Sequence, residues 1–123
     1  MAGRMAQRLR EAAVPVDPAL WAALVALADR VRLRIILMLR EREQCVCLIT
    51  EQLGLSQGTI SHHMSVLKRA GLVHDRRDPD DTRWTYYLLD ESSVTHLQES
   101  LRSLLDTSRM DRNPAPCLVR RGK

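Results

Sequence analysis

Two cysteines separated by one valine, Cys45 and Cys47, are the residues best suited to chemistry in this chain of 123 amino acids. A deprotonated cysteine is a soft ligand, which suits As(III), Sb(III), Cd, Pb and Cu(I) better than Mg or Ca. The same thiols could instead form a redox or persulfide switch. They could also be small buried apolar side chains with no chemical role. The residue types alone leave these three interpretations open.

The helix predicted around this pair limits how it can bind an ion. The pattern predicts a short helix from about Cys45 to Leu53, with Val46 and Ile49 facing inward. On a regular helix, positions i and i+2 diverge by about 200°. Both sulfurs can therefore bind one ion only if the start of the helix is distorted. Because this helix leads directly into the next one, such a distortion could act as a switch.

A glycine-containing turn between two predicted helices indicates a helix-turn-helix motif. Gly54 ends the first helix at the position favoured for a left-handed cap. Ser56 can cap the second helix, which runs to Ala70 and is ended by Gly71. The second helix is therefore the candidate recognition helix.

The two faces of this second helix differ in chemistry. Ile60, Met64 and Leu67 share the inner face, and no carboxylate occurs between Ser56 and Gly71. The outer face offers hydrogen-bond donors, acceptors, cations and small side chains, which fits a DNA major groove. A solvated surface helix is the alternative. The predicted DNA contacts on this helix are Ser56, Gln57, Gly58, Thr59, Ser61, His62, Ser65, Lys68 and Arg69.

A predicted β-hairpin follows and resembles a wing in its position. Its strands are predicted at Leu72–Arg77 and Arg83–Leu89, joined by a turn rich in aspartate. Trp84 is placed in the second strand, sharing a face with Tyr86. Arg76, Arg77 and Arg83 are the predicted phosphate contacts. Three carboxylates at the tip, those of Asp78, Asp80 and Asp81, should not face DNA, so either the tip turns away or each pairs with a neighbouring arginine.

Three further helices supply the scaffold, predicted at Ala19–Ala28, Arg30–Arg40 and Glu91–Asp106. The second of these is apolar enough that most of it should be buried. The fold class is mainly α with a small β-hairpin wing, a winged helix-turn-helix in the α+β sense. We expect an N-terminal extension over residues 1–17, one domain over 18–107 and a flexible tail over 108–123, with a short basic helix inside residues 1–14.

Composition limits the function classes further. The net charge of +4 suits a polyanionic partner such as DNA. Three cysteines are too few and odd in number for a disulfide scaffold, so we expect reduced thiols in the cytoplasm. No segment has the length of a membrane span, and the N-terminus lacks the apolar core of a signal peptide. An enzyme is disfavoured because no nucleophile has an evident base partner.

The motifs together resemble the ArsR/SmtB family of winged-helix repressors over about Leu20 to Asp106. The resemblance implies a homodimer joined by the first and last long helices. It also implies repression by the metal-free protein and release from DNA on metal binding. The residues that carry it are Leu27-Ala28-Asp29, Arg32-Leu33-Arg34-Ile35, Cys45-Val46-Cys47, Leu53-Gly54-Leu55-Ser56-Gln57-Gly58-Thr59-Ile60-Ser61-His62-His63, Leu67-Lys68-Arg69-Ala70-Gly71-Leu72-Val73 and Arg83-Trp84-Thr85-Tyr86-Tyr87-Leu88-Leu89.

Within this resemblance, Cys45 and Cys47 match the first thiolate ligands of arsenic and antimony sensors and of some cadmium and lead sensors. Two positions depart from the family pattern: Leu48 stands where an aspartate is usual, and Thr50 where many arsenic sensors have a further cysteine. The zinc site that some members have on the last helix is expected to be missing here, because its places are taken by Glu91, Ser93, Leu104 and Thr107.

Cys117 is the candidate third ligand. Trivalent arsenic prefers three thiolates, and Cys117 is the only thiol besides the pair. About ten extended residues span about 30 Å, so the tail could reach the pair within one subunit or across a dimer. An unligated tail cysteine is the alternative. The predicted metal ligands are thus Cys45, Cys47 and Cys117.

The predicted function is a DNA-binding transcriptional repressor that needs no cofactor to bind double-stranded operator DNA. The inducer is expected to be As(III), Sb(III) or an organoarsenical held by thiolates. A redox- or persulfide-responsive repressor, or one that responds to Cd or Pb, is the alternative.

Overall fold

A computed structural model describes residues 16–117. The predicted short helix within residues 1–14 and the last residues of the predicted tail lie outside this range. The described part contains five helices and a three-stranded sheet in the order α1 (Pro18–Leu27), α2 (Arg30–Glu41), β1 (Gln44–Cys45), α3 (Val46–Leu53), α4 (Gln57–Arg69), β2 (Val73–Arg77), β3 (Thr85–Leu89) and α5 (Glu91–Leu104). No helix among residues 16–117 is both long and apolar enough to cross a membrane.

Aspartates occupy the N-cap positions of three of the helices. The Asp17 carboxylate accepts a hydrogen bond from the Ala19 amide at 2.7 Å, and Pro18 takes the first position of α1. The Asp29 carboxylate accepts from the Arg32 amide at 3.0 Å at the start of α2, and Asp90 accepts from Ser93 at the start of α5. These caps explain why the predicted helix starts are correct to within one residue.

Less of α2 is buried than the sequence predicts. Ile35 and Leu39 are 0% and 4% exposed, whereas Leu33 and Leu37 are 45% and 52% exposed. The prediction that this helix is mostly buried is therefore wrong for one of its two apolar stripes. The physical reason is that α2 packs into the core on one side only.

The helix-turn-helix forms as predicted. Gly54 adopts a left-handed conformation (φ +66°) that ends α3, and the Ser56 hydroxyl accepts a hydrogen bond from the Thr59 amide at 3.1 Å. The side chains that fix the pair of helices in place are fully buried: Ile49, Ile60, Met64 and Leu67. Burial of this face of α4 leaves its opposite face to solvent.

The sheet has one strand more than the predicted hairpin. Its order is β1-β3-β2, and all neighbours are antiparallel. β3 begins at Thr85 rather than Arg83, so Trp84 precedes the strand and is largely exposed. Gln44, which directly precedes the thiol pair, and Cys45 thus belong to the same sheet as the wing.

The last helix is shorter than predicted and ends at Leu104. Leu97 is buried against the core, while Leu105 lies beyond the helix and is exposed. Between Leu105 and Cys117 the chain forms turns without a further helix or strand.

Candidate thiol site and nucleic-acid interface

The two cysteines meet because one of them lies outside the helix. Cys45 is the N-cap residue of α3, with extended backbone angles (φ −76°, ψ 155°), and Cys47 lies in the first turn. Their Cα atoms are 5.4 Å apart and their sulfurs are bonded as a disulfide. The expectation of reduced thiols is therefore wrong for this structure. The predicted divergence of about 200° does not arise, because it applies only when both residues are helical.

This geometry allows two kinds of chemistry. In the reduced state, the same backbone would present two neighbouring sulfurs, which suit a soft ion better than a hard one. In the oxidised state, the two thiols have lost two electrons and two protons and are joined by one S–S bond. Cys47 is exposed and Cys45 partly so, which leaves the site open to solvent on its outer side.

A third protein ligand is not adjacent to the pair in this structure. Among residues 16–117, no group of three or more His, Cys, Asp or Glu side chains is arranged to hold a metal ion. Cys117 is exposed and unbonded. Thr50 uses its hydroxyl to donate to the Val46 carbonyl at 2.6 Å. The predicted role of Cys117 stays a prediction that requires the tail to move or a second subunit to contribute.

Gln44, which precedes the pair, was missed as a structural residue. It is 8% exposed and its amide donates to the Met38 carbonyl at 2.9 Å. In the sheet Gln44 lies opposite Tyr87, and Cys45 lies opposite Tyr86. The thiol segment is thus anchored to α2 on one side and to the wing on the other. A glutamine that directly follows three charged residues gives no signal of burial in the sequence.

The outer face of α4 matches the predicted DNA contacts in exposure. Its nine candidate residues are all exposed, while Ile60, Met64 and Leu67 are fully buried. The N-terminal end of this helix carries a positive partial charge that favours a phosphate. Contact with DNA stays a prediction, but α4 exposes the polar face that such a contact requires.

Several predicted DNA-binding cations have partners within the described chain. Lys68 forms an ion pair with Asp75 at 3.1 Å, and Arg69 donates to the Ser65 carbonyl at 3.4 Å. Arg77 donates to the Thr82 carbonyl at 2.7 Å. These contacts are exposed, so water and phosphate can compete with them.

Two sets of contacts from aspartates hold the tip of the wing. Asp81 forms a two-point pair with Arg83, at 2.9 and 2.7 Å, and this pairing is the main cause that lowers the pKa of Asp81. The Asp78 carboxylate accepts the amides of Asp80 and Asp81 and so closes the turn. Of the two alternatives for the acidic tip, neutralisation by an arginine holds for Asp81.

Arg76 of the wing is paired with a carboxylate outside the hairpin. Its guanidinium donates two hydrogen bonds to the Glu43 carboxylate, Nε to Oε2 at 3.2 Å and Nη2 to Oε1. This pairing is the largest cause that lowers the pKa of Glu43 and raises that of Arg76. The Arg76 Cζ atom also lies 4.9 Å from the centre of the Tyr86 ring.

A polar cluster that sequence reasoning missed joins α2 to α4. The Arg32 side chain is 13% exposed; its Nε donates to the Ala26 carbonyl at 2.6 Å, and its Nη1 lies 3.1 Å from His63 Nδ1. Asp29 lies 3.9 Å from both side chains. A hydrogen bond from the Arg32 amide is the main cause that lowers the pKa of Asp29. His63 therefore helps to fix the orientation of α4, whereas the neighbouring His62 faces outward.

Comparison with known proteins places this architecture in a family. A family model described as "Bacterial regulatory protein, arsR family" matches residues 29–75. The arsenic resistance transcriptional regulator ArsR1 of Pseudomonas putida is 39% identical over 83 residues, which cover 67% of this chain and 62% of that protein. The solved structure of HlyU from Vibrio cholerae is 32% identical with a TM-score of 0.58, over 71% of this chain and 91% of that chain. The chain belongs to the ArsR family.

Its ArsR-family relatives differ in the ions for which they are named. The cadmium resistance transcriptional regulatory protein CadC of Listeria innocua is 34% identical over 74 residues, covering 59% of this chain and 60% of that protein. Both of these relatives are named as transcriptional regulators. Because arsenic and cadmium regulators align over similar lengths, membership of the ArsR family leaves the inducing ion to be argued from the site.

Proposed function

We propose that this ArsR-family protein is a DNA-binding repressor that leaves its operator when a thiophilic metal(loid) binds Cys45 and Cys47. As(III), Sb(III) and organoarsenicals are the proposed inducers. One observation carries the proposal: the two sulfurs meet at the N-cap of the first helix of the helix-turn-helix. An ion bound by the two sulfurs of the reduced pair would change the start of α3, which packs against the recognition helix through Ile49.

The DNA side of the proposal rests on α4. Its exposed face is free of carboxylates and lies opposite the buried apolar face. The net charge of +4 favours DNA in general. We propose a homodimer as the form that binds, because two recognition helices can then read two half-sites of an operator.

Reduced protein should bind a fluorescent fragment of its own promoter, and arsenite should release it. Fluorescence anisotropy measures both, with the affinity expected to fall linearly with salt on logarithmic axes. A fragment of unrelated sequence is the control. Equal binding to the two fragments would argue against a repressor, and a complex that arsenite, antimonite and cadmium all leave intact would argue against a metal(loid) sensor.

A redox-responsive repressor is the second candidate, and the Cys45–Cys47 disulfide is the observation that favours it. In the same assay, release by the thiol oxidant diamide in the absence of metal, with no release by arsenite, would assign the protein to this class. The structure of reduced HlyU from Vibrio cholerae is also similar to this chain, with 32% identity and a TM-score of 0.57.

We further propose Cys117 as a third arsenic ligand, supplied by movement of the tail or by the partner subunit. X-ray absorption at the arsenic edge counts the sulfurs bound to the metalloid. We expect three sulfurs in the wild type and two in Cys117→Ser. The same count in both proteins would remove Cys117 from the site, and a count of two in both would favour a monosubstituted organoarsenical as the natural inducer.

A further inference from the structure

Cys45, Tyr86 and Arg76 form one row across the three-stranded sheet. Cys45 lies opposite Tyr86 in the β1–β3 pair, and Arg76 lies opposite Tyr86 in the β2–β3 pair. Residues directly opposite each other in antiparallel strands place their side chains on the same face and in contact range. The Arg76 guanidinium indeed lies over the Tyr86 ring. One tyrosine therefore links the first residue of the thiol pair to an arginine of the wing.

Glu43 connects the same arginine to the thiol segment a second time. Glu43 lies two residues before Cys45 along the chain, and its carboxylate binds the Nε and Nη2 donors of Arg76. Such a two-point arrangement is the one in which an arginine binds phosphate. Glu43 and a DNA phosphate would thus compete for the same two donors.

Glu43 is joined to the thiol pair by a short stretch of backbone. The chain runs from Glu43 into β1, whose second residue, Cys45, is also the N-cap of α3. The bond between the two sulfurs fixes Cys45 relative to Cys47, and through β1 it fixes the backbone that carries Glu43. When the sulfurs are separate, this constraint is absent, and β1 is held by its two-residue pairing with β3 and by the hydrogen bond from the Gln44 amide to the Met38 carbonyl.

We propose that the Glu43–Arg76 ion pair transmits the state of the thiols to the wing: linked sulfurs keep Arg76 on Glu43, and separate thiols release Arg76 to a DNA phosphate. This inference rests on the proposed function because it takes DNA as the partner of the wing. Arg76 is well placed for the role, since about half of its side chain is exposed while it is paired. Besides Glu43, the charged or titratable groups that raise the pKa of Arg76 are Asp78 and Tyr86.

The first test compares Glu43→Gln with wild type in the reduced and the disulfide forms of the full chain. Diamide makes the disulfide form by taking two electrons and two protons from the two thiols, and mass spectrometry of the peptide with both cysteines confirms the product. Anisotropy with the promoter fragment then gives the salt slope of each form. For wild type, we expect the disulfide form to have a slope smaller by about one unit than the reduced form, because one phosphate contact is missing. For Glu43→Gln, we expect both forms to have the larger slope.

Two controls separate this effect from a general loss of negative charge. Glu41→Gln removes the same charge from an exposed residue whose partner is its neighbour Arg40, and it should behave as wild type. Arg76→Ala combined with Glu43→Gln should give the smaller slope in both forms. If Glu43→Gln has the same slopes as Glu41→Gln, the proposal is wrong.

The second test needs no DNA. Hydrogen exchange of the Arg76 Nε–H, followed by NMR, should be slower in the disulfide form than in the reduced form, and Glu43→Gln should make the two forms equal. Equal exchange in the two forms of wild type would overturn the proposal whatever the DNA data show. If wild type binds promoter DNA in neither form, the proposed function fails, and a DNA phosphate is then not the partner of Arg76. The exchange rates would still decide whether the Glu43–Arg76 ion pair depends on the oxidation state of the thiols.

Discussion

Replacing Ser61 by aspartate is expected to weaken specific promoter binding strongly while leaving the protein folded. Ser61 is exposed on α4 beside the fully buried Ile60, so it lies on the face proposed to meet DNA. A carboxylate within about 4 Å of a phosphate costs about 1 kcal/mol in bulk water and about 4 kcal/mol at an effective dielectric constant of about 20. We therefore expect the affinity to fall about ten-fold or more.

The substitution should not harm folding, because Ser61 is exposed on the surface of α4. Ser61→Asn is the matched control, because asparagine has the same shape as aspartate but carries no charge. Anisotropy gives the two affinities, and thermal unfolding followed by circular dichroism shows that both variants fold. If the aspartate variant binds as tightly as the asparagine variant, α4 does not face the phosphates of DNA.

The recognition helix could be predicted well because its information is local. Apolar residues at helical spacing, a serine cap and two flanking glycines all lie within Gly54–Gly71 and agree with one another. Burial of Ile60, Met64 and Leu67 and exposure of the opposite face follow from that pattern. The prediction succeeds here because no distant partner is needed to choose between alternatives.

The buried stripe of α2 shows the opposite case. This helix has apolar residues on two sides, and the sequence does not say which side meets the core. The structure buries Ile35 and Leu39 and leaves Leu33 and Leu37 exposed. The choice depends on the helices and strand that pack against α2, which a periodic pattern within the helix cannot report.

The strand β1 was missed for a similar reason. Two residues are too few to show an alternating pattern, and their strand character comes from pairing with Tyr86 and Tyr87 far along the chain. The helix start was placed one residue early because cysteine is not among the usual N-cap residues. That single residue decides the chemistry, since it is what lets the sulfurs of Cys45 and Cys47 meet.

The roles of the wing arginines were also only partly predictable. Their charge and their place in a hairpin suggested phosphate contacts, but the carboxylates that hold two of them could not all be foreseen. Asp81 is a near neighbour of Arg83, and such pairing was an expected alternative. Glu43 is 33 residues from Arg76, and only the three-stranded sheet brings the two together.

The central claim is that the thiols of Cys45 and Cys47 control DNA binding, and single serine substitutions test it most directly. Serine keeps the size of the side chain but cannot form a stable bond to a soft metalloid. Arsenite is titrated into preformed complexes of reduced protein and promoter DNA, and release is followed by anisotropy. Because neither cysteine lies on α4, each variant should bind the promoter about as tightly as wild type does. We expect arsenite concentrations that fully release wild type to leave Cys45→Ser and Cys47→Ser bound. Normal release of either variant, or loss of DNA binding without arsenite, would contradict the claim.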